Sequence, residues 1–283
     1  MMALIEEIIG KTVTEINATD IFGAVKITDR VFWGCTKLAS IVLPETVEEI
    51  GTNSFNGCTS LQNIDLRAVK KISLSAFNKC SSLQKVDLRE VERISSNVFD
   101  GCTKLATINT ESLPEICNID ADAFTDTPWF KALPNGLNLL SDGKIALYAK
   151  NVSAVEIPAS VRTISIGAFK DVAAPSITVP DTVVRIWGST FTNSATTKVT
   201  IGAGVQIMGV GTMDNTKITT WICRQPTNMI LDIPKEAGDG KGLAYNKSSR
   251  SFTLYTDNEM LKAYNWAGDN VTATIKPLSE APA

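Results

Sequence analysis

A seven-residue block beginning with phenylalanine returns along the chain at an almost constant interval, and no other feature constrains the fold as much. It reads Phe32-Trp-Gly-Cys-Thr-Lys-Leu38, Phe55-Asn-Gly-Cys-Thr-Ser-Leu61, Phe77-Asn-Lys-Cys-Ser-Ser-Leu83 and Phe99-Asp-Gly-Cys-Thr-Lys-Leu105, with the aromatic residues 23, 22 and 22 apart. The register continues at Phe124, is lost across a longer insertion, and returns at Phe169, Phe191 and Met213, which makes about eight coils. A fixed period of this length is the mark of one small unit stacked upon itself.

Two short extended pieces recur inside each coil. The first reads Leu38-Ala-Ser-Ile-Val-Leu43, Leu61-Gln-Asn-Ile-Asp-Leu66 and Leu83-Gln-Lys-Val-Asp-Leu88; the second reads Val47-Glu-Glu-Ile50, Val69-Lys-Lys-Ile72 and Val91-Glu-Arg-Ile94. Apolar Ile64 and Leu66, or Val86 and Leu88, alternate with polar neighbours as a half-buried strand requires. A single coil has too little apolar surface to fold alone, so neighbours must cover each other's edges. The expectation is a β-rich, right-handed leucine-rich-repeat solenoid whose parallel strands lie about 4.8 Å apart.

The Ala/Val-Phe-x-x-Cys-x-x-Leu block and the Ile-x-Leu-Pro strand ending, over residues 26 to 225, resemble the BspA-like leucine-rich-repeat family of bacterial surface proteins. Thr127-Pro-Trp-Phe130 followed by Gly136 to Tyr148 looks like that family's inserted hairpin, and the last 30 residues look like its closing segment. The hairpin follows from the residues too: two apolar runs meet at Asp142-Gly143, a dipeptide that accepts the positive φ values of a tight turn.

Three regions are expected. Residues 1–25 form an N-terminal cap, in which Leu4, Ile5, Ile8 and Ile9 make one stripe of a short helix. Residues 26–235 form the solenoid, with the hairpin inserted at about 128–150. Residues 236–283 form a closing region: a flexible loop at Glu236–Gly242, a strand at Ser251–Tyr255, a helix over 257–266 capped by Thr256 with Glu259, and a frayed tail from Pro277.

Composition removes several functions. The chain of 283 residues has no histidine, so Ser-His-Asp and Cys-His nucleophile pairs and histidine-based metal sites are excluded. No G-x-S-x-G elbow exists, and Gly238-Asp-Gly-Lys-Gly242 lacks the spacing that cradles phosphates. A formal charge of -3 gives no basic excess for a nucleic-acid partner. No run reaches the roughly 20 apolar residues of a membrane span, and the first residues lack the basic n-region of a secretion signal.

Cys35, Cys58, Cys80 and Cys102 each fall three residues after the repeat's Phe. A 22-residue period strings sulfurs along the stack instead of gathering four around a metal, so they are expected to be small buried hydrophobes, and no metal site is expected. Cys223 aligns with inward Leu66 and Leu88. Cys117 aligns with charged Glu92 and is expected to be the exposed thiol. The repeated Phe residues are a core spine. Trp187 is expected to be partly exposed, and Trp129 to pack the hairpin onto the repeats.

The candidate ligand-binding face is the set of outward positions on the first strand: Asn63, Asp65 and Arg67, then Lys85, Asp87 and Arg89, then Thr107, Asn109 and Glu111. Residues two apart share a face, so these form one polar surface across three coils. Pairing of Asp65 with Arg89, or Arg89 with Glu111, would soften the cost of stacking like charges. On the second strand Glu48, Lys70 and Glu92 alternate in sign, which favours correct register.

The repeat architecture points to a non-enzymatic module that binds through an extended surface, without a cofactor. The resemblance implies adhesion to a protein or cell-surface ligand and a cell-surface or extracellular location. The alternative is a virion or tail-associated recognition protein, or a purely structural scaffold rod, and for location the virion or the cytoplasm.

Overall fold

The computed structural model describes residues 13–214, 217–225, 230–232, 243–244, 250–266 and 271–282, with the backbone alone for 230–232. The expected N-terminal helix and the Glu236–Gly242 loop lie outside the described residues. The chain divides into two compact units, Met1–Leu133 and Pro134–Ala283.

In the first unit the stacking is parallel on every side. Second-strand pieces Lys26–Ile27, Glu49–Ile50, Lys71–Ile72, Arg93–Ile94 and Asn118–Ile119 make one ladder, each paired with the next. The first strands make another: Glu15–Ile16 pairs with Ser40–Ile41, single bridges join Ser40 to Asn63 and Asn63 to Lys85, and Lys85–Asp87 pairs with Thr107–Asn109. Between them lies the phenylalanine arc, where Phe55 N donates to Ala76 O and Phe77 N to Val98 O, at 2.8 and 2.9 Å. Each turn thus spends its backbone polar groups on its neighbours, as buried main chain must.

The aromatic spine is continuous. Phe32, Phe55, Phe77, Phe99 and Phe124 stack with centroids 5.1 to 5.7 Å apart, and Trp129 closes the row edge-on to Phe124 at 5.2 Å. The tight arc around each Phe needs left-handed backbone at two places. Two residues before the ring stand Arg30, Asn53, Ser75 and Asn97, with φ from 54 to 58°; two residues after stand Gly34, Gly57, Lys79 and Gly101, with φ from 60 to 79°. Glycine adopts this region without penalty, which explains its return inside the repeated block. Lys79 carries the same conformation with a side chain.

The second unit repeats the plan with longer strands. Gly136–Leu140 and Ile145–Lys150 form the expected antiparallel hairpin through positive-φ residues Ser141, Asp142 and Gly143. Its second strand is then the first rung of a parallel ladder through Thr163–Ile164, Arg185–Ile186, Ile207–Gly209 and Ile230–Asp232. A second parallel sheet runs Ser176–Val179, Lys198–Ile201, Thr220–Cys223, Arg250–Thr256, Val271–Lys276. Phe169, Phe191 and Trp221 lie in the core between them.

The units hold about 11 turns between them, more than the eight marked by the Phe register. Turns at the two ends lack the aromatic marker: among the described residues the first rung is Glu15–Ile16, and past Met213 the stack runs on through Arg250–Thr256 and Val271–Lys276.

The closing helix is shorter than expected, a single turn at Glu259–Lys262. Its cap is Asn258, whose side chain accepts from Met260 N and Leu261 N, because Thr256 still belongs to the strand; the Thr256 hydroxyl accepts from Asn258 N instead. Nor is the tail frayed from Pro277. Leu278–Glu280 forms a 3-10 turn, Leu278 N donates to an Asp257 carboxylate oxygen at 3.2 Å, and Lys276 pairs with Glu280.

Candidate functional site

Four neighbouring turns of the first unit bring the outward first-strand residues together. Ser40, Asn63, Asp65, Arg67, Lys85, Asp87, Arg89, Thr107 and Asn109 line a groove of about 810 Å³ over Ile41, Ile64 and Val86. The three apolar floor residues are buried in the strands beneath. All the candidate residues read from the sequence lie here except Glu111, which is exposed beyond the end of its strand. Ser40 also lines the groove. Its place opposite Asn63 was available from the repeat register, but as a small residue it gave no signal of its own.

The charges pair within each turn, not between turns. Arg67 Nε lies 3.0 Å from both Asp65 oxygens and Nη2 lies 2.6 Å from Oδ2. Arg89 repeats this on Asp87, with Nε 3.1 Å from both oxygens and Nη2 on Oδ2. Asp65 and Arg89, and Arg89 and Glu111, form no hydrogen bond or ion pair among the described residues. The cause is a turn at the strand end. Asp65 Oδ1 accepts from Arg67 N, Asp87 Oδ1 from Arg89 N and Asn109 Oδ1 from Glu111 N, at 3.1, 3.3 and 3.2 Å. Such a turn folds the residue two ahead back onto the carboxylate. The bound guanidiniums hold the Asp65 and Asp87 carboxyls below the usual carboxylate range.

The second-strand charges pair in part along their own ladder, Lys70 with Glu48 but not with Glu92 among the described residues. Lys70 reaches Glu48 at 2.8 Å, and one residue on, Glu49 lies between Lys26 at 2.8 Å and Lys71 at 3.1 Å. Both lysines lower the Glu49 pKa, Lys26 most through its hydrogen bond. These exposed pairs set register more than stability.

All six cysteines are buried free thiols. Cys58, Cys80 and Cys102 each donate to the carbonyl of the preceding turn's Phe at 3.1 Å, a role beyond space filling. Burial pushes the Cys58 and Cys223 thiols up to about 12 and Cys80 well above its ordinary value. Cys117 is not the exposed thiol expected; it is fully buried and donates to Val91 O at 3.0 Å. The loop before it is longer, so Cys117 N closes a turn on Pro114 O as Val91 N does on Leu88 O. Cys117 therefore fills the place of Val91, and Ile116 is left half-exposed. Among the described residues no group of three or more Cys, Asp or Glu side chains could hold a metal ion. Trp187 is partly exposed, whereas Trp33 is 62% exposed at the start of the stack.

No helix of the described residues is long and apolar enough to cross a membrane. No curated protein matches the chain. Solved structures similar to it include a leucine-rich cell surface protein of Faecalibacterium prausnitzii, with 18% identity, 81% of each chain covered and a TM-score of 0.37. A leucine-rich repeat protein of Bacteroides ovatus has 16% identity over 90% of this chain and 77% of that one, with a TM-score of 0.34. The T. pallidum leucine-rich repeat protein has 16% identity over 80% of each chain, with a TM-score of 0.24. The family model of the BspA-type leucine-rich repeat region matches in 6 copies over residues 10–131 and 143–234. With its stacked strands, aromatic spine and repeated thiols accounted for by that period, the chain belongs to the BspA-type leucine-rich repeat family.

Proposed function

We propose that this chain is a non-enzymatic binding module that uses the groove across the first strands to hold a protein or cell-surface ligand, in the manner of an adhesin. One observation carries the reading: a groove coincides with the outward positions that repeat from turn to turn. Repeat proteins recognise partners through such extended surfaces, because inward positions are committed to packing. A cell-surface location accords with the leucine-rich cell surface protein among the similar structures. A nucleic-acid partner is disfavoured by the formal charge of -3, and neither cofactor nor metal has a part in the reading.

The test exchanges Asp65, Arg67, Asp87 and Arg89 together for alanine and compares both proteins on an array of extracellular-matrix proteins and cell-surface glycans. Loss of a ligand with unchanged circular dichroism and urea midpoint supports the groove. Unchanged binding in a folded variant eliminates it. Fractionation of the producing cell checks location, and recovery solely in the cytosol would refute the adhesive reading.

A further inference from the structure

The chemistry of the groove narrows its ligand further, and this step rests on the groove being the binding face. Each arginine is gripped along one edge only: the Asp two residues before it takes Nε and Nη2, and Nη1 makes no hydrogen bond among the described residues. A guanidinium offers five N–H donors in a planar fork, so the edge formed by Nη1 and the remaining Nη2 hydrogen stays available for a second oxyanion. The Asp pair holds that edge in place and reduces the side-chain entropy a ligand would have to remove.

Two such edges sit on adjacent turns. Asn63 bridges to Lys85, so Arg67 and Arg89 hold the same register position, about one strand spacing of 4.8 Å apart. The repulsion Arg67 exerts on Arg89 is smaller than the attraction of Asp87, so both guanidiniums stay fully charged. Lys85 adds an ammonium that makes no bond among the described residues. Among the lining residues three cations stand against two carboxylates, both already paired, with Glu45 and Glu90 acting on Arg67 and Arg89 from beside the groove.

The fold does not require these arginines. The third turn builds the same strand-end turn from Asn109 to Glu111, with a carboxylate where the arginine would stand. A turn that closes equally well without arginine leaves the Arg67 and Arg89 guanidiniums available for recognition.

We propose that the groove binds an acidic glycan chain, through carboxylate or sulfate groups on successive sugars held by the free edges of Arg67 and Arg89. An acidic peptide fits less well. Protein ligands gain most of their affinity from apolar and aromatic anchors in pockets. No aromatic residue lines this groove, and beyond the two paired carboxylates and some aliphatic surface the polar groups it offers are guanidinium, ammonium, amide and hydroxyl. Those groups suit a hydroxylated, anionic polymer. Along an extended peptide, side chains on one face recur about 6.6 Å apart, out of step with the turns.

The experiment uses the full chain and four probes at low salt: polygalacturonate for carboxylate, heparin for sulfate, dextran as a neutral glycan and polyglutamate as an acidic peptide. At least one anionic glycan should bind, weaken with added salt, and lose about tenfold or more in affinity in the Arg67→Gln, Arg89→Gln double variant. Which anionic glycan binds tells carboxylate from sulfate recognition. The proposal is overturned if neither binds, if the double variant binds equally well, if dextran binds as tightly, or if polyglutamate outcompetes both. Loss of an array protein in the groove variant without any glycan binding would sink this inference and leave the broader reading standing. Array binding indifferent to the groove residues would remove both.

Discussion

Replacing Phe77 with alanine tests whether the rings of the first unit act as a stack or merely as fillers. Phe77 is fully buried between Phe55 at 5.1 Å and Phe99 at 5.6 Å, with interplanar angles of 4° and 6°. Truncating a buried phenylalanine costs about 3–5 kcal/mol through lost transfer energy and the cavity left behind. Each aromatic pair accounts for about 0.5–1.5 kcal/mol of this. Phe32 is the internal comparison: it is equally buried but has one ring neighbour among the described residues, Phe55 at 5.1 Å and 24°. Phe32→Ala should therefore cost about 0.5–1.5 kcal/mol less than Phe77→Ala. Urea unfolding followed by circular dichroism measures both, provided the slopes agree so that midpoints report stability. A Phe77→Ala loss under about 1 kcal/mol would refute the core assignment. A Phe32→Ala loss equal to or above that of Phe77→Ala would refute the additive stack.

Three further outcomes are expected. Gly204→Ala should cost about 3 kcal/mol or more, since the added Cβ would sit 1.8 Å from Asp181 O; a thermal melt within a degree or two of the parent would show that these turns can part. Lys79→Gly should stabilise the first unit by about 0.5–1 kcal/mol, because φ is 60° there and the equivalent positions are Gly34, Gly57 and Gly101; a lower urea midpoint would contradict this. Asp87→Asn should keep the strand-end turn and lose the Arg89 ion pair. The Asp87 pKa is lowered in the folded state, so the pair's contribution is present above the ordinary carboxylate range and disappears as pH falls through the folded value. The variant should thus trail the parent by no more than about 1 kcal/mol at neutral pH and converge with it in acid; a gap that widens on acidification would reverse the assignment.

How far the sequence could be read depended on how many constraints a position obeys. Phe55, Cys58 and Leu61 repeat because each fills the same inward place, and their spacing alone identified turns, core and strands. Cys117 went astray because register and burial disagree there: the strand pairs Asn118 with Arg93, but the longer loop before it delivers Cys117 to Val91's place. Counting residues along strands cannot detect such a loop. The groove residues other than Ser40 were legible as outward positions, yet their pairing was not. Arg89 had Asp65, Asp87 and Glu111 within a few residues or one turn, and only the strand-end turn, in which Asp87 accepts from Arg89 N, selects the partner. Lys79 carries its left-handed backbone without any sign in its own identity.

The two units show what this selection leaves for function. In the second unit the rows Ser176, Lys198, Thr220 and Thr253, and Thr178, Thr200, Ile222 and Tyr255, stand where the first unit carries its groove residues. Threonine and other β-branched residues suit a pleated surface, and the strands here run to four residues or more. The first unit's strands are two or three residues long; their outer positions are Ser40, Lys85 and Asp87, and Thr107 and Asn109, with Arg67 and Arg89 just beyond the strand line. Strands that short gain little from side-chain pairing across the sheet, so the first unit draws its stability from the rings and the backbone bonds of the phenylalanine arc. With the load carried on that side, the outer face of the first strands is free to vary in chemistry at small cost to the fold. Arginine in two turns and glutamate in the third, on the same backbone turn, is the variation such freedom permits.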